Sequence, residues 1–183
     1  METYDIALFL HILTLLAAIG LGTTLHVAEW QQRKATTIQE LRTISRPFAW
    51  GKLFPVLIIV LFGTGSWLLH LSEDRFDFGD GWVVTAIVAL VVLFVSGGAV
   101  LGRHAAHYGK LLATTPDGPI TDEARRAAFD PTAWSVSHMN TALALGVVFN
   151  MVTKPALAGS IVVLVIAVVV GTAIGLMGSR SAS

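Results

Sequence analysis

The chain has 183 residues, of which 54% are hydrophobic and 13% charged, and its mean hydropathy is +0.71. This composition excludes an ordinary soluble protein, and the length suits one domain, so we expect a single transmembrane domain over residues 1–183. The formal net charge is zero, which gives no sign of nucleic-acid binding, and the lack of cysteine excludes disulfides, thiolate metal sites, iron–sulfur clusters and covalently attached haem.

Five apolar stretches predict an all-α polytopic membrane helical bundle, with a four-helix core and a fifth transmembrane helix. The first stretch follows no basic segment and is longer than the core of a signal peptide, so we interpret it as a retained span. The predicted spans cover residues 6–28, 48–71, 82–107, 132–153 and 156–177.

The first span carries two histidines, although hydrocarbon rarely holds an ionisable side chain without a functional reason. His11, Gly22, His26 and Glu29 fall on one stripe of this helix, with the two imidazoles about 22 Å apart along its axis. One histidine is therefore expected near each membrane surface. We interpret Glu29 as an interfacial charge or as a partner for a nearby arginine.

The connecting segments contain signals for shorter helices. Residues 31–46 mix basic and apolar side chains at a spacing that predicts an amphipathic helix at the membrane surface. Thr121 is expected to cap a short helix that ends at Phe129. Asp130 and Pro131 suit the start of the fourth span, because aspartate caps helices and proline fits the first turn.

The basic residues predict the orientation of the bundle in a bacterial cytoplasmic membrane. The segments that follow spans one and three hold most of the lysine and arginine, so the positive-inside rule places the N-terminus outside and the C-terminus in the cytoplasm. The residues on this inner side are Arg33, Lys34, Arg42, Arg46, Lys52, Arg103, Lys110, Arg125 and Arg126.

Histidines at one depth on different helices suit the axial ligation of haem b. His26 and His138 each lie four residues deeper than a tryptophan at the inner surface, and His104 falls at a similar level. His26 could pair with either of the other two. The propionates could meet Arg46, Lys52 or Arg103, and Gly22 leaves room beside the ring.

A second haem near His11 is a further expectation, and its other ligand stays open. His70 is shallower than His11, and Met151 is a competing soft ligand. Copper or another metal ion is the alternative cofactor, with His138, Met139, Met151, His104 and His107 as potential ligands. Each histidine could also simply hydrogen-bond across helices.

Three short motifs carry a resemblance to a known family: Leu10-His11-Ile12-Leu13, Gly20-Leu21-Gly22 and Met151-Val152-Thr153-Lys154-Pro155. They resemble a family of small bacterial predicted integral membrane proteins of unknown function. That family is distantly similar to the membrane domain of copper-resistance protein D and to the haem-binding bacterial protoporphyrinogen oxidase. The resemblance implies haem b, with His11 as the family histidine. The oxidase group has a histidine and a lysine after the Gly-Trp that opens span three, whereas this chain continues as Val83-Val84-Thr85-Ala86.

We therefore expect a haem b-binding, b-type cytochrome-like protein for electron transfer, small-molecule redox chemistry or gas sensing. As an enzyme it would be a haem-dependent membrane oxidoreductase. Its expected partners are the lipid bilayer and a quinone or redox partner protein. Metal-ion handling is the second reading, and a structural subunit of a larger complex is the third. Pairs of glycines at 98/102 and 171/175 predict close helix packing, including homo-oligomerisation.

Overall fold

The computed structural model describes residues 2–72 and 75–180, which fold into eight α-helices without a named strand. A 3-10 helix over Arg46–Leu53 leads into the third helix, and a π-helical segment over Gly97–Gly102 joins the fourth to the fifth. The helices are α1 (Thr3–Gln32), α2 (Ile38–Ile44), α3 (Phe54–His70), α4 (Gly81–Ser96), α5 (Arg103–Thr114), α6 (Asp122–Ala128), α7 (Pro131–Thr153) and α8 (Leu157–Arg180).

Five helical stretches of the described residues are long and apolar enough to span a membrane, which confirms the all-α membrane bundle. The second span differs from its predicted bounds, because regular α-helix begins at Phe54 rather than at residue 48. Pro47 lies in the preceding 3-10 helix, and Pro55 occupies the first turn of α3, where its missing N–H costs no hydrogen bond.

Helices α2, α5 and α6 form a small protein core at one end of the bundle, which we call the cap. Ile38 and Leu41 of α2 are fully buried there, against Leu112 of α5 and Ala124 of α6. The amphipathic helix predicted over residues 31–46 is present over Ile38–Ile44, and its apolar stripe packs on protein. Its position at the membrane surface stays a prediction.

Local hydrogen bonds hold the cap helices in place. Arg42 of α2 donates to the carbonyl oxygens of Leu112 and Thr115 and to the Asp117 carboxylate, at 2.8–3.1 Å. Tyr108 of α5 donates its buried hydroxyl to Gln32 Oε1 at the end of α1, at 2.9 Å. These bonds connect α2 to α5 and to the loop after α5, and they connect α5 to the end of α1.

The predicted helix starts are confirmed by their capping bonds. Thr121 accepts from the Ala124 N–H at 3.2 Å, and Asp130 accepts from the Ala133 N–H at 2.8 Å. In α2, the backbone N–H groups of Thr36 and Thr37 donate to the Glu40 carboxylate and thereby lower its pKa.

Helices α7 and α8 pack with their backbones in near contact. A Cβ added to Gly175 would lie 2.5 Å from Ser135 Cα, and one added to Gly171 would lie 2.7 Å from Met139 Cα. This glycine pair therefore serves packing within the chain. The oligomerisation prediction then rests on the other pair, where a Cβ added to Gly98 meets no atom within 4 Å.

Candidate metal centre

The candidate site begins on α1, on the stripe that carries its two histidines. His26 and Glu29 are three residues apart, and His26 Nδ1 lies 2.7 Å from Glu29 Oε2. Side chains at this spacing meet on one helix face, so the pair forms without help from another helix. Both side chains are partly buried, with exposed fractions of 26% and 13%, which keeps the site within reach of water.

Helix α7 supplies two hydroxyl groups to the same pair. Ser137 donates to Glu29 Oε1 at 2.7 Å, and Thr141 Oγ1 lies 2.7 Å from His26 Nε2. Ser137 and Thr141 are one turn apart on α7, and so they contact Glu29 and His26, which are one turn apart on α1. Both carboxylate oxygens of Glu29 and both ring nitrogens of His26 have a partner.

His138 of α7 completes the cluster. Its ring centroid lies 4.6 Å from that of His26, with the ring planes tilted by 51°. His138 Nδ1 lies 3.0 Å from the Trp134 carbonyl oxygen, and the two side chains stack at 5.7 Å. A carbonyl oxygen only accepts, so Nδ1 carries a proton, and in the neutral imidazole Nε2 then keeps its lone pair. That tautomer is the one a metal ligand needs.

The three side chains can converge on one ion. One ligand atom from each of His26, Glu29 and His138 lies within 4.8 Å of the others. They line a cavity of about 130 Å³ together with Trp30, Arg33 and Trp134. Two imidazole nitrogens and one carboxylate oxygen suit divalent zinc, copper or iron.

Arg33 closes one side of this cavity. Its guanidinium carbon lies 4.9 Å from the centroid of the Trp134 ring, and Nη2 donates to the Gly178 carbonyl oxygen of α8 at 2.9 Å. A cation over an aromatic face is attracted by the ring quadrupole. Arg33 therefore ties the end of α1 to α7 and α8 beside the cluster.

A haem does not fit between His26 and His138 in this arrangement. Iron between two imidazoles takes one nitrogen from each side, at roughly 2 Å each, and the porphyrin plate must also lie between the rings. Ring centroids only 4.6 Å apart leave no space for that plate. The two histidines and Glu29 fit a compact ion instead.

The alternative inner histidine lies in a different cavity. His104 lines a cavity of about 230 Å³ with His107, Glu123, Arg126, Ala127 and Asp130. Arg46 and Arg103, which were expected to meet propionates, are exposed and do not line the cavity around His26. Gly22 faces protein instead, because a Cβ there would lie 4.0 Å from the Phe54 ring.

The outer site brings His11 next to α3. His11 Nδ1 lies 2.9 Å from Thr64 Oγ1, and a Cβ on Gly65 would be 3.4 Å from the imidazole. His70 is exposed at the end of α3. Met151 packs on the apolar cluster around Leu143, so it does not join the candidate metal centre as a soft ligand.

Sequence reasoning did not assign Glu29, Ser137, Thr141 and Arg33 to the site. The first of these had a usable signal, since Glu29 lies three residues after His26 on the same stripe. The hydroxyl groups had none, because serine and threonine are common in transmembrane helices and their rotation toward α1 is a property of the packed bundle.

A family model described as "Predicted integral membrane protein (DUF2269)" matches residues 5–155. The resemblance to a family of predicted integral membrane proteins is thereby confirmed, and contact with the lipid bilayer follows from it. No curated protein and no solved structure matches the chain.

Proposed function

We propose, for a chain that belongs to the DUF2269 family of predicted integral membrane proteins, that its function is to bind and handle a divalent transition-metal ion. The observation that supports this is the convergence of His26, Glu29 and His138 within 4.8 Å. In the proposed complex His138 binds through Nε2, because Nδ1–H is held by the Trp134 carbonyl oxygen.

The donor set favours zinc, copper(II) or iron(II) over copper(I). Copper(I) prefers thiolate and thioether sulfur, whereas this site offers imidazole and carboxylate. Ser137 holds one oxygen of Glu29, and the Trp134 carbonyl oxygen holds Nδ1 of His138. Such outer partners fix ring orientation, and losing one typically costs about 10–100-fold in metal affinity.

The test is zinc binding by the full chain purified in detergent. Isothermal titration is expected to give one Zn²⁺ per chain for the wild type. His138→Gln and Glu29→Gln should each lose at least about 10–100-fold in affinity, since a direct ligand contributes no less than an outer partner. His70→Gln is the matched control, because this histidine is exposed and lies outside the cluster. An unchanged affinity in both site variants would overturn the assignment.

Haem b is the second candidate, with electron transfer, small-molecule redox chemistry or gas sensing as the activity and a quinone or redox protein as partner. The observation that favours it is Nε2 of His138, which suits a single axial ligand of haem iron, since His26 lies too close to be the second. The distant similarity to copper-resistance protein D and to protoporphyrinogen oxidase, which was expected from the sequence motifs, stays a prediction and is part of this haem proposal. A colourless preparation from haem-replete cells, with no Soret band, would rule it out.

The proposed orientation puts the cap in the bacterial cytoplasm. Arg42, Lys110, Arg125 and Arg126 all belong to the cap helices, in agreement with the positive-inside rule. The native chain contains no cysteine, so a single Gly109→Cys variant reports on one side only. A membrane-impermeant thiol reagent should label it in inverted vesicles and leave it unlabelled in intact cells, and the reverse pattern would refute this orientation.

A further inference from the structure

The cavity of the candidate metal centre also holds a cation of the protein itself. Arg33 lines it beside the three candidate ligands, with its guanidinium carbon 4.9 Å from the centroid of the Trp134 ring. Of the described residues that line this cavity, only Glu29 is acidic. A histidine that binds a metal is neutral, and the charges of Glu29 and Arg33 cancel, so a divalent ion would keep both of its charges unbalanced. At a partly buried position in a membrane protein, that imbalance favours a second, negatively charged ligand.

A second cation lies at the rim of the same cavity. Lys34 Nζ is 3.9 Å from the centroid of the Trp30 ring, and Trp30 lines the cavity. Lys34 and Arg33 are both exposed to solvent. Two cations on the aromatic walls of one cavity attract anions and repel bare cations. The rim therefore suits a metal ion that is accompanied by an anion.

The donor set leaves a position on the ion for such a ligand. His26, Glu29 and His138 supply three donors, and a four-coordinate ion with three protein ligands keeps its fourth position for water or substrate. The cavity volume is about 130 Å³, whereas one water molecule needs on the order of 10–15 Å³ of cavity. The cavity thus has space for an ion and a small anion together.

The guanidinium of Arg33 has donors with which to hold the anion. Its Nη2 donates to the Gly178 carbonyl oxygen at 2.9 Å, and this is its one hydrogen bond to the part of the chain that the structure describes. A guanidinium has five N–H donors in a planar fork, which matches the two oxygens of a carboxylate. Carboxylate oxygen is also a ligand of divalent transition metals. A small carboxylate is therefore the anion that suits both Arg33 and the ion.

We propose that the candidate metal centre binds its divalent ion together with a small carboxylate, which bridges the ion and the guanidinium of Arg33. The inference rests on the proposed metal-binding function and makes its substrate a metal carboxylate rather than a bare ion. One bond forms, between a carboxylate oxygen and the ion. One bond breaks, between the ion and a water molecule, and no group is oxidised or reduced.

The experiment is a titration of the Co²⁺-loaded full chain with sodium acetate, in nonionic detergent and at constant ionic strength. The visible absorption band of Co²⁺ reports its ligands, so the wild type should show a saturable change as acetate replaces water. Arg33→Gln should weaken acetate binding at least about tenfold, because it removes a hydrogen bond between two charged groups. Its affinity for Co²⁺ without acetate should be unchanged or higher, since a cation leaves the cavity. A general loss of the site would instead lower both affinities.

Arg103→Gln is the matched control, because Arg103 is exposed and does not line this cavity. It should bind acetate as the wild type does. Arg33→Lys retains the charge without the planar fork, so it should keep part of the acetate affinity, and it keeps the test valid if Arg33→Gln fails to fold. Short-chain phosphatidylglycerol, the other source of anionic oxygen near a membrane, should leave the band unchanged.

The outcomes separate this inference from the proposed function. A Co²⁺ band that does not respond to acetate in the wild type would overturn the inference and leave metal binding intact. Equal acetate affinity in the wild type and Arg33→Gln would also overturn it, and so would a response to the lipid alone. A wild type that binds no divalent ion would overturn both proposals.

Discussion

Replacing Gly175 of α8 with alanine is expected to destabilise the protein by about 2 kcal/mol. The added Cβ would lie 2.5 Å from both Ser135 Cα and the Trp134 carbonyl oxygen. These are backbone atoms, which cannot rotate away, so α7 and α8 must separate. Overpacking of a close-packed contact costs typically about 1–3 kcal/mol, and we take the upper end because no side chain can yield. The better helix propensity of alanine recovers up to about 1 kcal/mol.

The assay is thermal unfolding in detergent, followed by intrinsic tryptophan fluorescence. For a chain of this length, about 2 kcal/mol corresponds to a decrease in Tm of about 4–8 °C. Gly20→Ala in α1 is the matched control, since a Cβ there meets no atom within 4 Å. It should leave the Tm unchanged or raise it, because alanine is the better helix former. Equal Tm values for the two variants would refute the near contact of α7 and α8.

Three further predictions concern the cap and the N-terminus of α7. Tyr108→Phe leaves the buried side-chain oxygen Oε1 of Gln32 without its donor and should cost about 1–3 kcal/mol, measured as a lower Tm with wild-type helicity. Asp130→Ala removes the N-cap side chain of α7 and should cost about 0.5–2 kcal/mol in the same assay. Asp130→Asn should retain most of the stability, because asparagine can also cap a helix. The amides at the start of α2 lower the pKa of Glu40 below its ordinary 4.5, so its stabilising contribution is present above pH 4.5 and is lost as the pH falls through the lowered value. Glu40→Gln should make the Tm less dependent on pH in that acid range, and an identical pH profile would contradict this.

The transmembrane helices could be predicted from the sequence because length and hydropathy decide membrane insertion before tertiary contacts form. What the apolar side chains of residues 31–46 pack against could not be predicted in the same way. An apolar stripe on a polar helix fits a lipid surface and a protein core equally well. Only the position of Leu112 and Ala124 beside Ile38 shows that this stripe packs on protein.

The depth of the candidate site in the membrane could be predicted from the sequence, but the full set of residues that form it could not. Counting residues from Trp30 and Trp134 puts His26 and His138 at one level, and the structure does bring these two side chains together. Depth carries no information on how far each helix is rotated about its axis. The contact between Glu29 and Ser137 depends on that rotation, and so does the separation of His104 from the other two histidines.

The close packing of α7 and α8 has a consequence for how the chain can be divided. The family match ends at residue 155, just before α8 begins at Leu157. Helix α8 therefore packs on α7 as a separate chain could, with its glycines against the backbone of α7. Membrane helices can insert independently and associate afterwards. Fragments 1–155 and 156–183, produced together, should find each other in the bilayer and copurify, with Gly175→Ala weakening their association.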